Sequence, residues 1–132
     1  MKKQEYLEKI DSLGFDKDKY CIISGGVMLM LGLREETSDI DLKVKPDYFQ
    51  ELQKKYNFKK SNKFSYLYEL SNEIELAVQD FSEDEVDYIE GYPINKVENE
   101  LEWKIAHNRE KDKNDIENIK VYLKRKGSKK WI

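Results

Sequence analysis

Apolar positions along this chain follow two rhythms, one of three to four residues and one of two. Residues 2–13 place Tyr6, Leu7, Ile10 and Leu13 on one side of a helix, and Gly14 stands where a helix would stop. Residues 20–23, "YCII", form a short run rich in β-formers and read as a buried strand. Gly25 and Gly26 interrupt it, and 27–33 reads as a short buried helix. From 39 to 44 the period drops to two. Ile40, Leu42 and Val44 face one way, and Asp39, Asp41 and Lys43 face the other, as on a half-buried strand. Pro46 ends that strand, and 47–55 carries Tyr48, Phe49 and Leu52 at helical spacing. Residues 64–70 and 74–81 both read as strands, with Ser71, Asn72 and Glu73 as a tight hairpin turn.

Two helices close the chain. The first, about 96–107, puts Val97, Leu101 and Ile105 on one stripe, with Asn95 as the cap and Glu98 completing a capping box. The second, about 113–126, aligns Ile116, Ile119 and Leu123 before Gly127. Helices alternating with strands in this order predict an α+β (α/β) domain with a mixed sheet, flanking helices and a C-terminal helix pair. A single domain spanning 1–132 is expected, with its core at about 15–82 and its last helices at about 95–127.

Composition narrows the chemistry. Apolar and charged residues each make up 39% of the 132 positions, so a globular fold with a heavily charged surface is expected. No apolar run approaches the roughly 18 residues of a membrane span, and the N-terminal stretch lacks a signal-peptide core, which predicts a cytoplasmic protein without a membrane partner. Cys21 is the only cysteine, which excludes an internal disulfide and a cysteine-based zinc site. His107 is the only histidine, so a Ser-His-Asp mechanism has little material. A net charge of −3 gives no global pull toward nucleic acid. The tail "KRKGSKKWI" concentrates basic residues and a tryptophan that could meet RNA phosphates and stack a base, or simply remain solvated.

The stretch "SGGVMLMLGLREETSDIDLKV", residues 24–44, carries the strongest signal. On a strand, Asp39 and Asp41 point to one face, about 6.6 Å apart at Cα. Two carboxylates so placed repel unless a cation lies between them, and magnesium prefers oxygen ligands supplied jointly by carboxylate, phosphate and water. Ahead of them, Ser24, Gly25 and Gly26 form a turn through which backbone can approach a ligand closely, with a helix start behind it. Either feature alone has an ordinary explanation, as solvent-facing acids or a tight turn. Their combination in one segment suggests a metal and triphosphate site.

That segment resembles the nucleotidyltransferase superfamily with the DNA-polymerase-β-type fold, in its small bacterial abortive-infection and aminoglycoside-type branches. Gly25, Gly26, Arg34, Thr37, Asp39 and Asp41 stand on the positions of the pattern "h-G-G-x-A-h…R-x-T-x-D-h-D-h-h". The resemblance implies that Asp39 and Asp41 hold magnesium, or manganese in its place, together with a third carboxylate on a later strand. Glu75 stands at the expected position and Asp80 is the alternative. Ser24, Gly25, Gly26, Arg34, Thr37 and Ser38 are the implied nucleotide-binding residues.

A second, looser resemblance lies in "LEWKIAHNREKDKNDIENI", where Lys104, Arg109, Lys111, Asp112 and Asp115 match a helix pair of the same branches. It places Lys104 and Asp112 beside the nucleotide. Read from the residues alone, Lys104 on an apolar helix face needs a carboxylate partner or an anion. The implied activity is transfer of a nucleoside monophosphate from a nucleoside triphosphate to an acceptor hydroxyl. Acceptors in the family include RNA or tRNA, proteins and small molecules such as aminoglycosides, and an antitoxin-like protein is among the implied partners. The competing expectation is a non-catalytic nucleotide-binding or interaction module on the same fold.

Overall fold

In the computed structural model, which describes residues 1–127, the first helical rhythm forms α1 (Lys3–Leu13), with Tyr6 and Ile10 buried. Gly14 closes it in the left-handed conformation at φ 65° and donates its N–H to the Asp11 carbonyl. The strands follow as β1 (Tyr20–Ile22), β2 (Ile40–Val44), β3 (Lys59–Lys60), β4 (Leu67–Glu69), β5 (Ile74–Val78), β6 (Val86–Ile89) and β7 (Tyr92–Asn95). Helices α2 (Gly25–Met30) and α3 (Pro46–Leu52) join β1 to β2 and follow β2. Pro46 both ends β2 and opens α3, where its missing N–H leaves no helical bond unmade.

The seven strands form one mixed sheet in the order β3-β4-β5-β2-β1-β7-β6. β1 runs antiparallel to β2, and β2 runs parallel to β5 in the register Ile40↔Ile74 through Val44↔Val78. The period-two reading holds, since Ile40, Leu42 and Val44 are fully buried while Asp41 and Lys43 are half-buried. Residues 1–95 form one compact unit and Lys96–Ile132 a second. The expected α+β class with a mixed sheet is what the chain adopts.

Several boundaries differ from expectation. The glycines do not precede α2. They are its first two residues, and the helix ends at Met30 rather than 33. The hairpin β6–β7 lies in a stretch where the apolar pattern predicts no strands. Its turn, Glu90 and Gly91 at φ 54° and 84°, has the two positive φ values of a two-residue hairpin turn. Acidic residues and Pro93 weaken the strand signal of this segment. Asn95 does not cap the next helix, because it ends β7, buried and in register with Val86. A capping box forms instead at Ser82 and Glu85.

The second unit contains α4 (Val97–His107), a single turn at Glu110–Asp112 and α5 (Lys113–Arg125). Leu101, Ile119 and Leu123 are buried. Ile105, expected on the inner stripe of α4, is exposed, and Lys104 occupies the buried position next to it. No helix among the described residues is long and apolar enough to cross a membrane. Residues 128–132, including the tail's Trp131, lie outside the described residues.

Candidate active site

Strand direction decides what meets at one end of the sheet. β1 is antiparallel to β2, so its C-terminal end lies beside the N-terminal end of β2, and the Ile23 N–H donates to the Asp41 carbonyl at 3.1 Å. The Ser24–Gly25–Gly26 turn therefore begins next to Asp41. β5 is parallel to β2, so its N-terminal end lies there too. The Ile40 N–H donates to the Glu73 carbonyl at 2.7 Å, and Asp41 is in register with Glu75. Asp39 precedes the first strand residue and is exposed, while Glu75 is half-buried at 18% side-chain exposure.

Glu75 is also in register with Glu69 of β4, and Glu69 with Lys59 of β3. In-register residues on neighbouring strands project to the same face, about 4.5–5.5 Å apart at Cβ. Asp41, Glu75 and Glu69 thus form a row of three carboxylates across three strands. Like charges directly opposite each other on a sheet oppose its stability. Glu69 was not foreseen from sequence. Its signal is the hairpin register about the Ser71–Glu73 turn, where the Ser71 hydroxyl accepts from the Glu73 and Ile74 N–H groups. Among the described residues, no three acid, histidine or cysteine side chains converge closely enough to hold a metal ion by themselves.

The backbone at the turn is strained. Ser24 has φ 58° and ψ −133°, a conformation that non-glycine residues seldom adopt and that surrounding structure must enforce. Gly25 lies under two polar side chains: a methyl group there would stand 2.6 Å from Arg34 Nη1 and 2.8 Å from Thr37 Oγ1. The loop carrying them is tied to the start of the chain by an isolated bridge between Lys2 and Glu36 and by the Thr37 N–H donating to the Met1 carbonyl. Gly26 lies over Tyr6 instead. A methyl group at that position would stand 2.0 Å from the Tyr6 hydroxyl and 2.5 Å from Ile22 Cγ2. Tyr6 is fully buried, and its hydroxyl has no hydrogen-bond partner among the described residues. Burial, then the nearby Asp41 charge and Tyr20, push that phenol far above its ordinary range.

Ser24, Gly25, Gly26, Arg34, Thr37, Asp39, Asp41 and Glu75 thus belong to loops, strand ends and the first turn of α2 at one end of the sheet, with the exposed Ser38 in the same loop as Arg34 and Thr37. Asp80 is elsewhere. It lies beyond Val78, whose partner is Val44, roughly 10 Å along β2 from Asp41. There it lines a groove with Lys19, Lys45, Pro46 and Tyr48. The register therefore favours Glu75 over Asp80 as the companion of the aspartates.

In the second unit, Lys104 is only 5% exposed, and its ammonium lies 3.3 Å from Asp112 and 3.5 Å from Asp115. Arg109 Nε donates to Asp112 at 2.6 Å, and its guanidinium lies over the Trp103 ring, on which His107 also stacks. Burial would raise the Asp112 carboxyl, but the Arg109 hydrogen bond and the Lys104 charge outweigh it and hold it below the usual carboxylate range. A carboxylate pair thus satisfies the buried lysine.

No protein-family model matches the chain, and comparisons with curated proteins and with solved structures found no match.

Proposed function

We propose that this chain is a magnesium-dependent nucleotidyltransferase that moves a nucleoside monophosphate from a nucleoside triphosphate to an acceptor hydroxyl. The observation that carries the reading is the pairing of Asp41 with Glu75 beside the Ser24–Gly25 turn, where Arg34 and Thr37 crowd the Gly25 backbone. A magnesium ion takes one or two protein carboxylates and draws its other oxygens from phosphate and water. Asp39 and Asp41 suit that mode without a three-carboxylate cage, and their donors are hard oxygens only. When bound, the metal supplies charge neutralisation at the triphosphate and at the attacking oxygen.

The protein's own groups do the rest. The turn backbone at Ser24–Gly25 and the Thr37 hydroxyl orient the phosphates, with Gly26 and Ser38 flanking them. Arg34 balances charge on the departing pyrophosphate. A carboxylate of the set, Glu75 by position, accepts the acceptor's proton as its oxygen bonds to the α-phosphorus and the bond to the β-phosphate bridge breaks. Lys104 and Asp112 have no part in this scheme, since they already hold each other. Such an enzyme would work in the cytoplasm, where nucleoside triphosphates are made, and an antitoxin-like protein is a fitting regulator.

The test incubates purified protein with magnesium and each of four labelled nucleoside triphosphates. Total RNA, protein alone and aminoglycosides serve as separate acceptor pools. Label is expected in one pool, reduced by at least ~100-fold in the Asp39→Ala/Asp41→Ala variant and by more than ~10-fold in Glu75→Gln. Asp80→Asn should leave transfer unchanged. Absence of transfer to every pool while nucleotide still binds would replace this reading with that of a non-catalytic binding module.

A further inference from the structure

Charge is distributed very unevenly along this chain. Residues 52–68 contain Lys54, Lys55, Lys59, Lys60 and Lys63 and no acidic residue, within a protein of net charge −3. The same segment contains Tyr56, Phe58, Phe64, Tyr66 and Tyr68. It forms the β3 edge of the sheet and the loop leading to β4.

Lysines on an edge strand alone would be explained as a guard against strand pairing between molecules. Two further observations exceed that explanation. Phe64 is 37% exposed and stacks on Tyr66 with ring centroids 5.3 Å apart and planes within 19°. Phe49 packs against Phe58 and Tyr68 of the same strand pair, which gives β3 and β4 a firm apolar bed. In addition, the basic segment runs directly into the acid row. Lys59 is in register with Glu69, and Lys63 Nζ lies 4.0 Å from Glu75 Oε2. From Lys59 to Asp41 is three strand spacings, ~14 Å.

We propose that the β3 edge and the loop to β4 bind a single-stranded polynucleotide, with Lys59 and Lys63 on its phosphates and a base stacked on the Phe64–Tyr66 pair. A flat exposed aromatic beside spaced lysines is what a strand with unpaired bases requires; a duplex hides its base faces, and an acidic peptide has none. The direction from Lys59 through Lys63 to Glu75 carries the end of such a strand toward the acids. In that respect the inference rests on the transferase reading and makes the acceptor an RNA or DNA end.

The test measures binding by fluorescence anisotropy, using a labelled 12-nucleotide single-stranded RNA, its duplex and a polyglutamate competitor, without nucleoside triphosphate and over a range of salt. The single strand is expected to bind at least ~10-fold tighter than the duplex. Lys59→Gln/Lys63→Gln should weaken it by at least ~10-fold and flatten the log–log salt slope by about 1.4, at ~0.7 per single-strand phosphate contact. Phe64→Ala should weaken binding ~10-fold without changing that slope. Arginines at both lysine positions should retain binding, and thermal melts should show each variant folded.

Three results overturn the proposal: no saturable binding, polyglutamate displacing RNA as well as RNA itself does, or affinity that survives both variants and falls only when residues 124–132 are removed. The acceptor-pool transfer assay, run on the same wild-type protein as this titration, separates the two readings. Strand binding with no transfer to any acceptor pool would remove the transferase assignment alone. Transfer to a protein or small molecule without strand binding would remove only this one.

Discussion

Gly26→Ala is expected to destabilise the first unit by about 3 kcal/mol, a fall in Tm of roughly 10 °C, while Gly25→Ala leaves the melting temperature nearly unchanged. The two glycines are adjacent in α2, so helix propensity favours alanine at both by up to ~1 kcal/mol. What differs is the neighbour. A methyl at Gly26 meets the Tyr6 hydroxyl at 2.0 Å and Ile22 Cγ2 at 2.5 Å, and both side chains are fully buried with nowhere to move. At Gly25 it meets the far end of Arg34, which can swing aside, and the Thr37 hydroxyl, which a turn about χ1 moves away; both residues are half-buried. Gly25→Ala should therefore keep its fold and lose transfer activity, because Arg34 and Thr37 are the groups displaced.

A double-mutant cycle with Tyr6→Phe checks the cause by thermal and urea unfolding. Tyr6→Phe alone is expected to be neutral or stabilising, since it removes a buried hydroxyl that has no partner among the described residues. Combined with Gly26→Ala it should recover at least about 1 kcal/mol, because the closest clash disappears while those with Ile22 and with the ring Cζ of residue 6, at 2.8 Å, stay. Strict additivity of the two changes would show that the clash is not with the Tyr6 hydroxyl.

Lys104→Met is expected to cost about 3 kcal/mol in unfolding free energy. Breaking a buried ion pair by removing one partner costs ~3–5 kcal/mol, because the remaining charge has lost both water and counter-ion. The lower end applies because Arg109 still donates to Asp112. Replacing Lys104, Asp112 and Asp115 together by apolar residues of similar volume should recover most of the loss.

The pH dependence has a definite sign. The folded Asp112 carboxyl is held below its unfolded value near 4, so the folded state binds its proton later than the unfolded chain does. The stability this contributes is complete above about pH 4 and is lost as pH falls through the depressed folded value. Asp112→Asn should flatten the acid limb of stability against pH below about 4, measured by denaturant midpoints. An unchanged acid limb would mean that Asp112 titrates alike in both states.

The α+β class, the placing of most helices and the two faces of β2 were legible in the sequence, because each is written in local periodicity. The alternation of Ile40, Leu42 and Val44 with Asp41 and Lys43 specifies a strand and its two faces wherever that strand lies. Gly14 and Gly127 marked helix ends, because positive φ is a local demand that glycine meets. The lysine on an apolar helix face announced that Lys104 needed a partner, although not which one.

Tertiary structure alone decided the rest. That β5 runs parallel to β2 with Asp41 opposite Glu75, and that β4 brings Glu69 into the same row, depends on which apolar faces bury against each other across some thirty residues of intervening chain. Periodicity carries no record of that register. The hairpin β6–β7 was illegible because β6 is largely exposed and follows an acidic run, Pro93 interrupts β7, and the two are held by pairing with each other and, through β7, with β1. Why one glycine of the pair tolerates a side chain and its neighbour does not was equally hidden, since only the folded chain brings Tyr6 beneath Gly26.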